Sequence, residues 1–410
     1  MDVFGYLAPY ALEWSNLLVR WLHLITGIAW IGASFYFVWL DNSIRPPAPG
    51  SELAKKGVSG ELWAVHGGGF YNPQKYLVAP AELPKELHWF KWEAYSTWLS
   101  GFALLTIVYY FNAQAMMVDK SVANLATWQA VGIGLGSLVI GWTVYDLLCR
   151  SKLGKHDLAF GVVMWLFLVG SAYVLTHLLS GRAAYIHVGA MIGTMMVANV
   201  LMLIIPGQRK MVNAMMAGQK PDPIHGIKAK QRSVHNNYFT LPVLFIMISN
   251  HYAMTYRHEY AWLVLGVIMA AGALIRHFFN LRHKGRIEWK YPAAGVALLL
   301  ALAVAIAPKP PAAVKPGADP AAQFAQVRTI IDQRCVACHA AHPTQPGFAT
   351  APAGVALDTA QSVAQNAARI YQQAVQMKAM PLANLTNMTD AERAQIGAWF
   401  ESGAKTGSKE

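Results

Sequence analysis

Eight apolar stretches long enough, or nearly so, to cross a bilayer occupy the first 307 residues, at about 14–39, 94–117, 123–148, 158–180, 184–205, 238–255, 259–279 and 292–307. About 20 helical residues span the hydrocarbon, where each backbone polar group must be bonded within its own segment. The chain is thereby committed to a helical membrane bundle. Composition agrees, because 55% of the 410 residues are hydrophobic and 13% are charged, whereas a soluble domain carries about 25% charged residues. A wholly soluble enzyme and a disordered chain are both poor readings. The last stretch is short, Ala-rich and closed by Pro308. Residues 1–13 hold no Lys or Arg, and Asp2 and Glu13 make them acidic. They do not read as a signal peptide.

The formal net charge is +12, from 33 basic and 21 acidic residues. Its placement decides its meaning. The connections after the first, third, fifth and seventh stretches each hold several Lys or Arg, whereas those after the second, fourth and sixth hold Lys120, Arg182 and Arg257, one apiece. That bias puts the odd-numbered connections in the cytoplasm and both chain ends outside. The two long connections, 41–91 and 206–237, are the main cytoplasmic features. Positive charge there orients the chain and meets anionic membrane lipid. No nucleic-acid partner is expected.

After Pro308 the composition changes. Residues 309–320 read as a Pro/Ala linker between a membrane part, 1–308, and a small soluble domain, 321–410, with short helical patterns. A domain of that size needs a staple or cofactor for comfortable stability. Cys335-Val336-Ala337-Cys338-His339 is a CxxCH run, the attachment signature of c-type haem. Two thiols three positions apart reach the two vinyl groups, and His339 presents its imidazole to the iron from the same side. A thiol redox pair, or a partial zinc site completed by His342, is the competing reading. Met380-Pro381 precedes a final amphipathic helix opened by a Thr389/Glu392 capping box. This part resembles small cytochrome c domains of class I, which implies Met380 as sixth iron ligand opposite His339. Met377 and Met388 are alternatives, and any one Met is equally a core packer.

Histidines inside spans are costly unless paired, ligated or turned inward. His23, His177, His187 and His251 fall in the outer half of the derived topology. They suit axial ligation of a non-covalent haem b, a metal site or a proton path, against plain hydrogen bonding to carbonyls or water. His23 and His187 are preferred for the haem, since Gly27 and Gly32 follow one and Gly189 and Gly193 the other. Those glycines equally serve helix packing. On the cytoplasmic side, Glu61 to Tyr71 encloses His66 and three successive glycines, and His88 to Glu93 interleaves aromatic and polar groups. Such rings suit a planar heterocycle; a membrane-surface hairpin is the bland alternative. Arg232-Ser233-Val234-His235-Asn236-Asn237 leads polar side chains into the sixth stretch. His277 closes this side, and Arg276 is expected to snorkel to the interface.

The whole resembles the bacterial membrane-bound urate oxidases, also called urate hydroxylases. The residues that carry the resemblance are Arg20 to His23 with Trp30 to Gly32, Glu61 to Tyr71, His88 to Glu93, His187 to Met191, Ile205 to Arg209, Arg232 to Asn237, and the CxxCH run with Met380-Pro381. It implies an all-α fold, an eight-span helical bundle with a small class I cytochrome c-like domain, in the bacterial inner membrane. It also implies oxidation of urate to 5-hydroxyisourate, with electrons passing to a haem c at Cys335, Cys338 and His339 and then to a soluble cytochrome c or terminal oxidase. His66, Glu93 and His235 are then candidates for moving a proton, Arg232 for pairing with the anion and Asn236 for reading a ring carbonyl or N–H. A quinol–cytochrome c oxidoreductase, or a transporter or anchor with a passenger cytochrome, is the alternative.

Overall fold

The computed structural model describes residues 3–307, 319–346, 348 and 350–407. The expected linker, 309–320, therefore lies almost wholly outside the described residues. The protein is an almost all-α, multi-span membrane bundle. Helix α1, Val3–Ser43, has 41 residues, about 60 Å at 1.5 Å per residue. Helix α2 is Trp92–Leu105, α3 Thr127–Arg150, α4 Asp157–Thr176 and α5 Gly181–Ala198. A π-helical turn, Asn199–Ile204, carries α5 into α6, Ile205–Met216, and α7 is Pro223–Ile248. Helices α8, Ala261–His283, and α9, Lys290–Ala305, complete the membrane part.

Among the described residues, five helices are long and apolar enough to cross a membrane, against the eight stretches read from hydropathy. The difference has local causes. The second expected span breaks, because α2 gives way to a π-helical turn at Thr106–Tyr110 and then to the short helix Ala113–Met116. Helix α7 is long, but its first ten residues, PIHGIKAKQR, are polar and basic. Helix α9 has only 16 residues.

Helix α5 is the axis of the bundle. Tyr185, His187, Val188, Ile192 and Met195 are fully buried, and the core gathers Tyr145 and Leu138 of α3, Met164 and Leu168 of α4 and Leu265 of α8 around them. Burial at that density is the main stabilising term of such a helix pair, by packing rather than by water exclusion. Helix α1 has the opposite character. Its Leu17, Trp21 and Ile28 are more than half exposed, as lipid-facing side chains are.

Two sets of polar ties define the ends of the bundle. Asp41, at the end of α1, pairs with Lys75 in the first long connection and, at 3.2 Å, with Lys230 on α7. Those two basic connections thus share one face. At the other face Arg257 lies 3.7 Å from Asp119, and Ser180 donates to the Met116 carbonyl at 2.7 Å.

Two two-stranded ribbons are the β structure of the described residues: β1, Gly60–Glu61, pairs with β4, Gln74–Lys75, and β2, Ala64–His66, with β3, Gly69–Tyr71. Gly67 and Gly68, at φ 58° and 80°, form the two-residue hairpin turn that needs positive φ at both centres. Two of the three successive glycines are thereby explained by the turn itself.

Beyond the membrane part, helix α10, Pro320–Arg334, packs against the C-terminal helix α11, Asp390–Glu401, around Phe324, Ile331, Ile396 and Trp399. This segment is not set apart from the bundle, because Met377 and Ala379 join the main core. The Thr389/Glu392 capping box forms, and Arg334 donates to Glu392 at 2.9 Å. Burial alone would raise the Glu392 carboxyl, but the Thr389 N–H, Arg334 and the Thr389 hydroxyl together hold it below the usual carboxylate range. A lowered folded value gives stability that is complete above the ordinary Glu pKa of about 4.3 and is lost as pH falls through the folded value. Glu392→Ala therefore destabilises α11 by about 1–2 kcal/mol at neutral pH. Hydrogen exchange across 390–401 of the full chain should quicken about tenfold, with the difference from wild type vanishing in acid.

Candidate functional site

The polar run that enters α7 folds inward against α3 and the π-helical turn after α5. Arg232 is 3% exposed. Its Nη2 donates to Asp146 Oδ1 at 2.7 Å and its Nη1 to Asn199 Oδ1 at 3.1 Å, while its guanidinium lies 5.0 Å from the Tyr145 ring centre. Asn199 donates both amide hydrogens, to the Tyr145 hydroxyl oxygen at 2.9 Å and to Asn236 Oδ1 at 2.8 Å. Asn236 in turn donates to the Met196 carbonyl at 3.0 Å. The Tyr145 O–H is left to donate to His235 Nδ1, 3.0 Å away. That bond makes His235 a neutral Nε2–H tautomer. Its ring stacks on Phe160 at 4.4 Å, and Cys149 Sγ sits 3.7 Å from Nδ1.

The cluster is a directed hydrogen-bond chain from a buried cation to an imidazole. Its donors and acceptors satisfy one another within the bundle, and His235 ends the chain as an acceptor at Nδ1. Its middle link, Asn199, opens a π-helical turn, a feature frequent at functional sites. Sequence reasoning found Arg232, His235 and Asn236 but missed Asp146, Tyr145 and Asn199. The available signal was an acid and an amide inside apolar stretches, each a site candidate on cost alone.

The other expected site residues are placed apart from this cluster. His66 is exposed at the end of β2. Glu93 lies in the first turn of α2, where its Oε2 is buried without a partner. His23 Nδ1 lies 3.0 Å from the Thr97 carbonyl and 3.2 Å from Ser100 Oγ, with Gly101 against the ring. His187 is fully buried and engages both nitrogens, Nδ1 with the Ala183 carbonyl at 2.7 Å and Nε2 with the Tyr110 hydroxyl at 3.2 Å. In this arrangement His187 has no free nitrogen for iron, and Gly189 packs against Ile246 of α7 rather than beside a porphyrin. Among the described residues, no group of three or more His, Cys, Asp or Glu converges as a metal-ion site.

In the C-terminal part, Cys335 caps α10. The Cys338 and His339 N–H groups both return to the Cys335 carbonyl, at 3.2 and 2.9 Å, so one turn carries both thiols and the imidazole. His339 Nδ1 lies 2.8 Å from the Val355 carbonyl, which leaves the Nε2 lone pair free. Burial pushes the Cys335 thiol up to about 12 and raises Cys338 as well, the reverse of a reactive redox pair. The residues fit covalent haem attachment. Met380 sits beside Arg393, whose Nη1 donates to the Met380 carbonyl at 2.7 Å. Of the alternatives, Met388 is buried in the C-terminal core and Met377 packs on the bundle.

The family model described as urate oxidase N-terminal matches residues 9–307, well over half of the chain. The chain belongs to the urate oxidase N-terminal family. No curated protein and no solved structure matches it. Membership in the urate oxidase N-terminal family covers the membrane part and stops short of the CxxCH run, so the resemblance inferred across the whole chain is corrected to that part. The assignment as a haem-linked urate oxidase is also corrected. Among the described residues the framework is helical with two small ribbons, not a β-rich tunnel, and no metal-ion cluster forms. Urate as substrate, and a soluble cytochrome c or terminal oxidase as electron acceptor, fall with that assignment. Membrane lipid remains as the surroundings of a multi-pass chain.

Proposed function

We propose that the chain is an integral membrane protein that carries a covalent haem c. Residues 1–308 would form an eight-span bundle with the polar cluster around Arg232, His235 and Asn236 as its ligand site. Residues 309–320 would be the linker, and residues 321–410 a class I cytochrome c-like domain. The observation that carries the reading is the single turn bearing Cys335, Cys338 and His339, whose Nδ1 is already tied to Val355 at 2.8 Å. Cys335 and Cys338 would hold the group through thioethers, with His339 and Met380 as axial ligands. Such a haem supplies a one-electron redox centre, its potential raised by a thioether ligand. The chain's part is to fix the imidazole tautomer, to cover the ring with the core around Ile331 and Trp399, and to dock this segment on the bundle.

Sidedness supports the same reading. The face where Ala379 and Leu382 meet Ser180, Arg182 and Arg257 belongs to the weakly basic connections, which charge bias puts outside a bacterial inner membrane. A second haem, of b type, draws support from His23 alone, since His187 is fully engaged. Full-length protein, made in a host that attaches haem c and then denatured, should keep one haem per chain on a haem-stained gel. Cys335→Ser with Cys338→Ser should lose all of it. Wild-type chain that releases its haem, or holds none, rejects the proposal.

A further inference from the structure

A second buried cation, on α8, meets the other side of α7, and this one has no counter-charge. Arg276 of α8 is 4% exposed, contrary to the expectation that it snorkels. Its Nε donates to Asn237 Oδ1 at 2.5 Å, its guanidinium lies 4.0 Å from the Phe35 ring centre of α1, and its Nη2 is buried with no hydrogen-bond partner. Asn237 is itself fixed, since its amide donates to Asn280 Oδ1 at 2.9 Å. Among the described residues no carboxylate lies within ion-pair distance of Arg276, in contrast to Arg232, which Asp146 neutralises at 2.7 Å. On the same helix His283 Nδ1 is also buried and unpartnered, and His277 is bonded to the Tyr238 hydroxyl at 2.6 Å; the carboxylate that reaches His277, Glu288, is already paired with Arg286 at 2.5 Å and Lys290 at 2.7 Å.

An unpaired guanidinium in a membrane bundle costs several kcal/mol, and a free N–H adds the penalty of an unmade bond. The surroundings already fix the side chain. Phe35 holds one face and Asn237 holds Nε, so both terminal nitrogens are left without a partner and Nη2 is the buried one. The missing element is one oxygen with negative charge. We propose that Arg276, with Asn237 and Asn280 as its positioning residues, is a binding site for an oxyanion, a carboxylate or phosphate-type oxygen that Nη2 grips as a charge-assisted donor. This site is separate from the Arg232 cluster, because Asn236 and Asn237 point the two networks to different neighbours of α7. The oxyanion belongs either to a small solute or to the headgroup of an anionic lipid, since both present the same oxygen.

The test uses the purified full chain in neutral detergent, with thermal unfolding followed by tryptophan fluorescence. Sodium benzoate, sodium phosphate and phosphatidylglycerol in mixed micelles are titrated, each against sodium chloride at equal ionic strength. At least one arm should raise Tm saturably by about 3 °C or more. A rise with benzoate or phosphate identifies a solute site, and a rise with phosphatidylglycerol alone identifies a headgroup site. Arg276→Gln should abolish the shift. Arg276→Lys, which keeps the charge without the fork, should weaken the apparent affinity at least tenfold, and it serves should the Gln variant not accumulate. The proposal is overturned if no arm exceeds chloride, or if both variants respond as wild type does.

Discussion

Asp146→Ala should lower the stability of the bundle by about 3–5 kcal/mol, the range for removing one partner of a buried ion pair. The loss comes from what stays behind. Arg232 is 3% exposed and keeps its charge, with only Asn199 Oδ1 and the Tyr145 ring to receive it. The same carboxylate also meets Arg150 at 2.6 Å, but the Arg150 side chain is 68% exposed, so that contact contributes less than about 1 kcal/mol. The two arginines thus give an internal control. Arg150→Ala should stay close to wild type, and Asp146→Leu combined with Arg232→Met should recover most of what Asp146→Ala loses. Denaturant unfolding in mixed micelles measures all three. If Asp146→Ala and Arg150→Ala proved equally mild, Arg232 would have to be hydrated, and the chain to His235 would not be buried.

That network shows how far a sequence exposes a membrane site. Arg232, His235 and Asn236 stood out because successive polar side chains rarely enter an apolar stretch without a reason. Their partners Tyr145, Asp146 and Asn199 sit on other helices, and nothing local announces which helix faces which. Arg276 illustrates the converse. Near the end of an apolar stretch, its position predicts snorkelling, and only the packing of Phe35 over its guanidinium at 4.0 Å makes it buried. Hydropathy and helix length give different span counts for a related reason. Hydropathy is continuous across residues 94–117, but the helix is not, because the π-helical turn at Thr106–Tyr110 interrupts it. The hairpin glycines were legible as special and ambiguous in use: positive φ at Gly67 and Gly68 serves the turn. The CxxCH run was legible as a single turn, since its geometry is set by five consecutive residues rather than by tertiary contact.

Gly181→Ala should be the most damaging single-methyl change in the bundle, costing about 3 kcal/mol, the upper end for overpacking. A side chain there meets the backbone carbonyl of Tyr256, with that residue's carbonyl carbon at 3.0 Å, and a backbone cannot rotate aside as a side chain does. The neighbourhood leaves no slack. Ser180, the N-cap of α5, takes the Ala183 N–H at 3.3 Å and gives its own N–H to the Met117 carbonyl at 2.8 Å. Tyr185 donates to the Thr255 and Ala261 carbonyls at 3.0 and 2.6 Å, which fixes the segment that holds Tyr256. The added methyl must therefore move α5 or residues 253–256. Either movement disturbs the small cleft where Gly181, Arg182 and Tyr256 meet Ala379 and Leu382. The variant should show a lower Tm together with faster hydrogen exchange at residues 377–382, although that segment is distant in sequence. By contrast, Gly193→Ala on the same helix, where nothing lies within 4 Å of the new methyl, should leave both readouts unchanged. Equal behaviour of the two variants would mean that the C-terminal segment does not rest on this face of the bundle.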